Sequence, residues 1–395
     1  MSLNYLCVDL ETSVRNREGC TEQVVGEFYA NPHCRDNFIV IGGYKERHDT
    51  DVTVFDRDTG IAPPSLDTWV VGHNVQFDLL YCMKRQSPEL NEAWRVWFEE
   101  GGKLFDTMHA EYLITGQLST MVSLDEVSLK YGGTLKDEFI KEHWKSGGHT
   151  EEIPFDRLKE YLEHDVLNTE QVFVAQCEAI TKLEMWPLVR SQMEAMVATL
   201  EMQFNGMRVD KDVLIEQLPE MEQRRYKMYD ELQNTMIPAF PKDFPVNPGS
   251  SSHVGAFLFG GYAGKYKVRD FILDEDGKKI VTKTGKNAGK AKTKLYEHEV
   301  YCTGIHPESK GKKSESGKWA TDKKFLSGMD CDFCKLKLQY SKLDKDINDN
   351  YIKLPSLVFD DTGLVHGSLN HSNTVTGRLS SSAPNTQNFP KKDKD

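Results

Sequence analysis

The stretch Tyr5-Leu6-Cys7-Val8-Asp9-Leu10-Glu11 joins a short apolar run to two carboxylates. Residues two apart in a strand project from one face, so Asp9 and Glu11 can converge on a single point. Neighbouring anions repel unless a cation lies between them, and a solvated strand end is the simpler account of such a pair taken alone. Apolar runs of the same kind recur at residues 37–41, 52–55 and 69–71, each bounded by polar residues, Gly or Pro. Helical patterns follow at residues 78–85, 107–114, 123–131 and 155–177. Short strands alternating with amphipathic helices predict an α/β domain over residues 1 to about 180.

Two further carboxylates fall at element boundaries. Gly72-His73-Asn74-Val75-Gln76-Phe77-Asp78 leaves a strand and opens a helix. A carboxylate there can face a site at the strand ends or complement the helix dipole. In Tyr161-Leu162-Glu163-His164-Asp165 a spacing of four puts phenol and carboxylate on one helix face. Phe105-Asp106-Thr107-Met108 reads as a helix start with Asp106 as N-cap. His73, His164 and His371 have no partner pattern for nucleophilic catalysis and read as polar neighbours.

Taken in order, Asp-x-Glu, Asn-x-x-x-Asp and Tyr-x-x-x-Asp resemble the DEDDy 3′-to-5′ exonucleases. The resemblance implies a ribonuclease H-like fold and a two-metal site. Asp9, Glu11, Asp78 and Asp165 would be the metal ligands, and Tyr161 would orient the attacking water. Thr12 and Asn74 would lie near the DNA 3′ end. Two Mg2+ ions are the implied cofactor, with Mn2+ as the alternative, because hard cations prefer oxygen ligands. A metal pair about 4 Å apart can activate water on one side and stabilise the departing oxygen on the other.

Length and composition suit two or three domains. The chain has 395 residues, 38% hydrophobic and 28% charged, and no apolar run approaches bilayer thickness. No membrane role is expected. The N-terminus does not read as a signal peptide, and eight scattered cysteines suggest reduced thiols in a cytoplasm, the host's if the protein is phage-encoded. The net charge of −12 is uneven: residues 262–318 hold 14 Lys and Arg against 8 Asp and Glu. Such a segment is either an electrostatic footprint for phosphates or a solvated loop. Cys331-Asp332-Phe333-Cys334, with Cys302 and His306 upstream, has zinc-like spacing on one side only; ordinary thiols are the other account.

Beyond residue 185, Trp186-Pro187 breaks the chain before an amphipathic pattern through Met193, Met196, Val197, Leu200 and Phe204 that stops at Asn205-Gly206. A helix follows Asp210, then a Pro-rich link at residues 238–248, a helix at 250–259 and a mixed helical stretch at 321–343. Two short strands, 357–359 and 365–369, are expected around Asp360-Asp361-Thr362-Gly363.

The stretch Thr374-Val375-Thr376-Gly377-Arg378-Leu379-Ser380-Ser381-Ser382-Ala383-Pro384-Asn385-Thr386-Gln387-Asn388-Phe389-Pro390 resembles a signature of family A DNA polymerases, the family of bacterial DNA polymerase I and its phage relatives. Residues 201–210 resemble the entry into the thumb of that family, and residues 244–252 and 257–261 resemble its next thumb element, closest to phage members. The resemblance implies that Arg378 touches the minor groove at the primer terminus and Gln387 the neighbouring duplex. Thr376, Ser380, Asn385 and Asn388 would supply further hydroxyls and amides for the DNA backbone. Thr386 and Phe389 depart from the usual motif.

The expected architecture is an α/β ribonuclease H-like exonuclease domain (1–185), a mostly α-helical thumb (186–345) with a basic insertion at 262–318, and the first strands of an incomplete α+β palm (346–395). The family's palm carboxylates and fingers helix have no counterpart up to Asp395. The sequence is therefore expected to be the N-terminal part of a split family A polymerase that carries the proofreading exonuclease. Its expected partners are primer-template DNA, single-stranded 3′ ends, a second polypeptide carrying fingers and remaining palm, and a processivity factor on the thumb. The alternatives are a DNA-binding clamp subunit with a vestigial exonuclease, or a polymerase cut short.

Overall fold

The computed structural model describes residues 3–13, 30–134, 138–314 and 317–389. Pro390 of the C-terminal motif, two residues of the basic segment and part of the N-terminal domain lie outside these. Among the described residues, contacts divide the chain into two compact units, Met1–Lys211 with Leu354–Asp395, and Asp212–Lys353. The start of the expected palm thus packs in the same unit as the N-terminal domain.

The first unit is built on a mixed sheet of β1 (Asn4–Ser13), β2 (Phe38–Glu46), β3 (Thr53–Phe55), β4 (Thr68–Gly72) and β5 (Lys103–Asp106), in the order β3-β2-β1-β4-β5. β1 runs antiparallel to β2 and parallel to β4, and β4 is parallel to β5. Leu6, Cys7 and Val8 are all buried, as expected of a central strand covered on both faces. Between the strands lie α1 (Gln76–Cys82) and α2 (Pro88–Glu99); α3 (Thr107–Ile114), α4 (Leu124–Lys130), α5 (Glu138–Lys145) and α6 (Phe155–Lys182) follow β5. α6 packs over β1, β2 and β4, while α7 (Trp186–Asn205) packs on β5 and α1.

Local chemistry accounts for most boundaries. Ser87 caps α2, whose first residue is Pro88, and Ser123 and Glu126 close a capping box on α4. α7 begins at Trp186-Pro187 and stops at Gly206, whose φ of 68° favours glycine. β6 (Met207–Arg208) then leads out of α7.

The second unit holds α8 (Lys211–Met236), α9 (Ser251–Phe259), the long antiparallel pair β7 (Gly261–Phe271) and β8 (Thr293–Cys302), α10 (Lys323–Leu326) and α11 (Asp332–Asp346). Its core gathers Val254, Phe257, Leu258, Phe259, Phe333 and Cys334. Of the basic segment, residues 262–271 and 293–302 are thus paired strands, and its described lysines are exposed.

The chain returns to the first unit through β9 (Leu364–Val365), antiparallel to β6, and the hairpin of β10 (Ser368–Asn370) and β11 (Ser380–Ser382). The expected strand at 357–359 is not formed. Residues 354–356 are helical, and Phe359 makes only one bridge, to Leu364, because Gly363 at φ 69° closes a tight turn between them. No helix among the described residues is long and apolar enough to cross a membrane.

Candidate active site

β1 presents Asp9 opposite Gly43 and Glu11 opposite Ile41, with a bulge immediately after Glu11. Gly43 has a specific role there. A Cβ on it would stand 3.1 Å from the Leu162 side chain, so glycine lets α6 press onto the sheet beside Asp9. Asp165, three residues along α6 from Leu162, consequently reaches the strand. One oxygen each of Asp9, Glu11 and Asp165 lie within 4.8 Å of one another. Glu11 and Asp165 are buried and Asp9 is half-buried.

Asp78 on α1 is buried and accepts a hydrogen bond from the Leu10 N–H at 3.1 Å, which ties it to the strand between the other two acids. Burial pushes its carboxyl well above the ordinary carboxylate range. The negative charge of Asp9 adds to this, and that of Glu11 adds less, while backbone donors oppose it. Two carboxylates 4.8 Å apart repel by about 3 kcal/mol at an effective dielectric near 20. The donors are all carboxylate oxygens, a set that fits a hard divalent cation and leaves softer metals without sulfur or imidazole.

Tyr161 lies one helical turn before Asp165 and is also buried. Its ring meets Trp144 of α5 edge-on at 5.7 Å between centroids. The Trp144 indole N–H donates to Thr150 Oγ1 at 3.1 Å, and that hydroxyl donates to the Thr12 carbonyl at 2.8 Å. Trp144 and Thr150 thus link the tyrosine to the end of β1. Neither stood out in the sequence, since an isolated Trp and Thr carry no motif.

Asn74 occupies the left-handed region at φ 60°, where Asn is tolerated, and is exposed. Its N–H and that of Val75 donate to the Asp106 carboxylate, which also caps α3 through the His109 N–H at 3.0 Å. Asp106 is thereby structural, as expected; its burial pushes the carboxyl up to about 6 despite these donors. Asn74 borders a cavity of about 280 Å³ lined also by Phe77, His33, His366 and Asn370.

The C-terminal motif docks on α3 and α7. Tyr112 donates its hydroxyl to the Thr374 carbonyl at 2.6 Å, His109 pairs with Ser372 at 3.0 Å, and His371 pairs with Thr199 at 2.8 Å. The Thr374 hydroxyl accepts from the Arg378 N–H and donates to the Arg378 carbonyl, closing a turn around Gly377 at φ 70°. Thr376, Arg378, Gln387 and Asn388 are left exposed. Ser380 and Asn385 are partly engaged within the motif, Ser380 by Asn373 and Asn385 by Ser381. Of the histidines read as polar neighbours, His73 pairs with Thr107, His164 with Thr134 and Asn168, and His371 with Thr199.

The zinc-like set does not assemble. Among the described residues the one convergent group of metal-ligating side chains is Asp9, Glu11 and Asp165. Cys302 and Cys334 are buried in the core of the second unit. Burial, and then the neighbouring Cys331, push the Cys334 thiol up to about 12.

Residues 278–395 match the family model described as DNA polymerase family A. The curated relatives point the same way. The chain is 44% identical over 69 residues to a DNA polymerase of Bacillus phage SP01, which covers 18% of this chain and 7% of that protein. It is 51% identical over 53 residues to a thermostable DNA polymerase I of Thermus thermophilus, 13% of this chain and 6% of that one. A longer match, 24% identical over 299 residues, is to DNA polymerase I of Pseudomonas aeruginosa and covers 73% of this chain and 27% of that protein. Among solved structures, the POL domain of Pol1 from M. smegmatis, in complex with DNA primer-template and dNTP, aligns with a TM-score of 0.60 at 15% identity. That alignment covers 100% of this chain and 53% of the other. The fold therefore resembles a mixed α/β polymerase domain, and the chain spans about a quarter of the Pseudomonas relative and about half of the solved structure.

Proposed function

We propose that the N-terminal sheet and α6 form a two-metal 3′-to-5′ exonuclease of the DEDDy type, and that the chain is the exonuclease, thumb and initial palm part of a family A DNA polymerase. The observation that carries this reading is the convergence of Asp9, Glu11 and Asp165 within 4.8 Å, with Asp78 drawn against them by the Leu10 N–H. The sheet order β3-β2-β1-β4-β5, with one antiparallel and one parallel neighbour for β1, supports a ribonuclease H-like assignment. The family match over residues 278–395 supports the polymerase context.

Asp9, Glu11, Asp78 and Asp165 would hold two Mg2+ ions, with Mn2+ as a substitute. When bound, such a pair supplies a water of lowered pKa and neutralises charge on the departing 3′ oxygen. The protein's own groups do the positioning. The Tyr161 hydroxyl would hold the attacking water by hydrogen bond, with Trp144 limiting the ring's freedom. Thr12 and Asn74 would hold the 3′ nucleotide. At the other site, Arg378, Gln387, Thr376, Ser380, Asn385 and Asn388 would contact the primer-template backbone and minor groove without reading sequence. Nucleotide addition needs the fingers and palm carboxylates of a complete polymerase. A processivity factor would bind the thumb.

The test is hydrolysis of a labelled single-stranded DNA from its 3′ end by the purified chain with Mg2+. Activity that is present in the native protein and lost in Asp9→Ala/Glu11→Ala supports the exonuclease. Hydrolysis unchanged in that variant overturns the site. Binding of DNA with no hydrolysis by the native protein points to the clamp reading instead.

A further inference from the structure

We propose that the distal half of the β7–β8 ribbon is an electrostatic arm that holds the phosphate backbone of duplex DNA, an inference that rests on the polymerase reading above. From Gly277 to Tyr296 the sequence has seven lysines, at positions 278, 279, 283, 286, 290, 292 and 294, and no Asp or Glu. All seven are exposed. None makes an ion pair with a described residue, whereas at the base of the ribbon Lys265 is paired with Glu297 at 3.1 Å and Glu299 at 3.4 Å. Asp274, Glu275 and Asp276 form a tight turn just before this run, so the excess of positive charge belongs to residues 277–296.

The tip is also held in shape. Backbone hydrogen bonds link Ile272 to Lys292 at 2.9 Å and Lys292 to Ile280 at 2.7 Å, and a second turn joins Thr282 to Lys290 at 2.9 Å. A solvated lysine tract with no binding role needs no such frame. The frame holds the backbone that carries these lysines, six on the connection between β7 and β8 and Lys294 in β8. DNA carries a charge every 1.7 Å or so, so an arm of this kind can meet several phosphates at once.

Duplex is favoured over single strands by what the tip lacks. Single-strand binders stack bases on aromatic rings. Between Ile272 and Leu295 there is no Phe, Tyr or Trp on which a base could stack; besides its lysines the segment exposes Leu273, Val281, Asp274, Glu275 and Asp276, and Lys279 lies over the flanking Phe271 ring. Lysines without a stacking ring suit backbone contact without base readout.

The experiment measures binding of a blunt DNA duplex by fluorescence anisotropy between about 50 and 200 mM KCl, for the native chain and for K283A/K286A/K290A/K292A. The plot of log affinity against log salt should become shallower by about 3 to 4 in the variant, and affinity at the lower salt should fall by about tenfold or more. The corresponding Lys→Arg variant should restore the native slope. An unchanged slope in the Lys→Ala variant overturns the arm, including the case in which the ribbon docks an acidic protein instead, and leaves the polymerase reading standing. A slope lost in Lys→Ala and not regained with Lys→Arg marks a packing effect and also overturns it. Failure of the native chain to bind any duplex overturns both the arm and the polymerase reading.

Discussion

In the carboxylate site, acids of one sign are held on β1, α1 and α6, three of the four largely out of water; in the ribbon, seven lysines of the other sign stand in water, six on the connection between β7 and β8 and one in β8. Both regions concentrate like charge, but the physics differs. Burial, and then the charge of Asp9, raise the pKa of Asp78, so the fully ionised cluster is disfavoured without a cation. Solvated lysines are screened and repel little, so the ribbon tolerates its charge without a partner. The first arrangement makes each group indispensable, and the second spreads a function over many groups.

The largest expected effect follows from that indispensability. Asp9→Ala/Glu11→Ala should lower 3′ hydrolysis by at least about 10²-fold, since even the groups that merely orient metal ligands are worth 10- to 100-fold. A loss below tenfold would mean that these acids behave like the ribbon lysines, and the comparison would fail. Next in size is a gain of stability. Asp78→Asn removes one of the crowded charges while retaining an acceptor for the Leu10 N–H, and should stabilise the metal-free protein at pH 7 by about 1–3 kcal/mol. The sign is fixed by the raised carboxyl. The native Asp78 contributes stability that is fully present below its unfolded pKa of about 4 and lost as pH rises through its folded value, so the advantage of the variant should vanish below about pH 4. Thermal melts at the two pH values, without divalent metal, check this; a variant less stable than the native protein at pH 7 would remove the argument from disfavoured charge.

Gly43 gives a smaller, mixed effect. The added methyl of Gly43→Ala would sit 3.1 Å from Leu162 and Val52, forcing α6 outward by a few tenths of an ångström. Overpacking of this kind costs about 1–3 kcal/mol, and displacing Asp165 and Tyr161 together should lower hydrolysis by about tenfold. Denaturant melts and rates measured side by side distinguish this from a purely structural role, which would lower stability and leave the rate of the folded protein intact.

Much of the candidate site's geometry was legible because it lies in short-range pattern. The Asp-x-Glu pair sits on a strand, Asp78 opens a helix, Tyr161 and Asp165 share a helix face, and Asp106 caps α3. The convergence of these pieces depends on Gly43, whose importance comes from a partner 119 residues away in Leu162 and leaves no local trace. The same limit hid the docking of Thr374 on Tyr112 and the link from Trp144 to Thr12. The ribbon was obscured for another reason. Its Lys, Gly and Thr content resembles a solvated loop, and its order comes from cross-strand hydrogen bonds between residues such as Lys265 and Glu299 rather than from a buried face. The strand expected at 357–359 failed because its apolar run precedes a tight turn at Gly363, and the pairing partner of that region, β6, lies far back in the chain.

Arg378 offers the smallest effect and the finest test of the contrast between few indispensable groups and many interchangeable ones. Its side chain is exposed, and the turn that presents it is held by Thr374 through backbone atoms, so Arg378→Ala should change unfolding free energy by no more than about 0.5 kcal/mol. Primer-template affinity should fall by about 1 kcal/mol, roughly fivefold, because one oriented guanidinium is lost at a fixed place on the duplex. The salt dependence should shift by no more than about 1, against the 3 to 4 expected on removing four ribbon lysines. A salt slope that drops as far for Arg378→Ala as for the ribbon variant would mean that Arg378 belongs to the same diffuse field as the lysines. A fivefold loss with a nearly unchanged slope would place it with the carboxylates, as a single group whose position matters more than its charge.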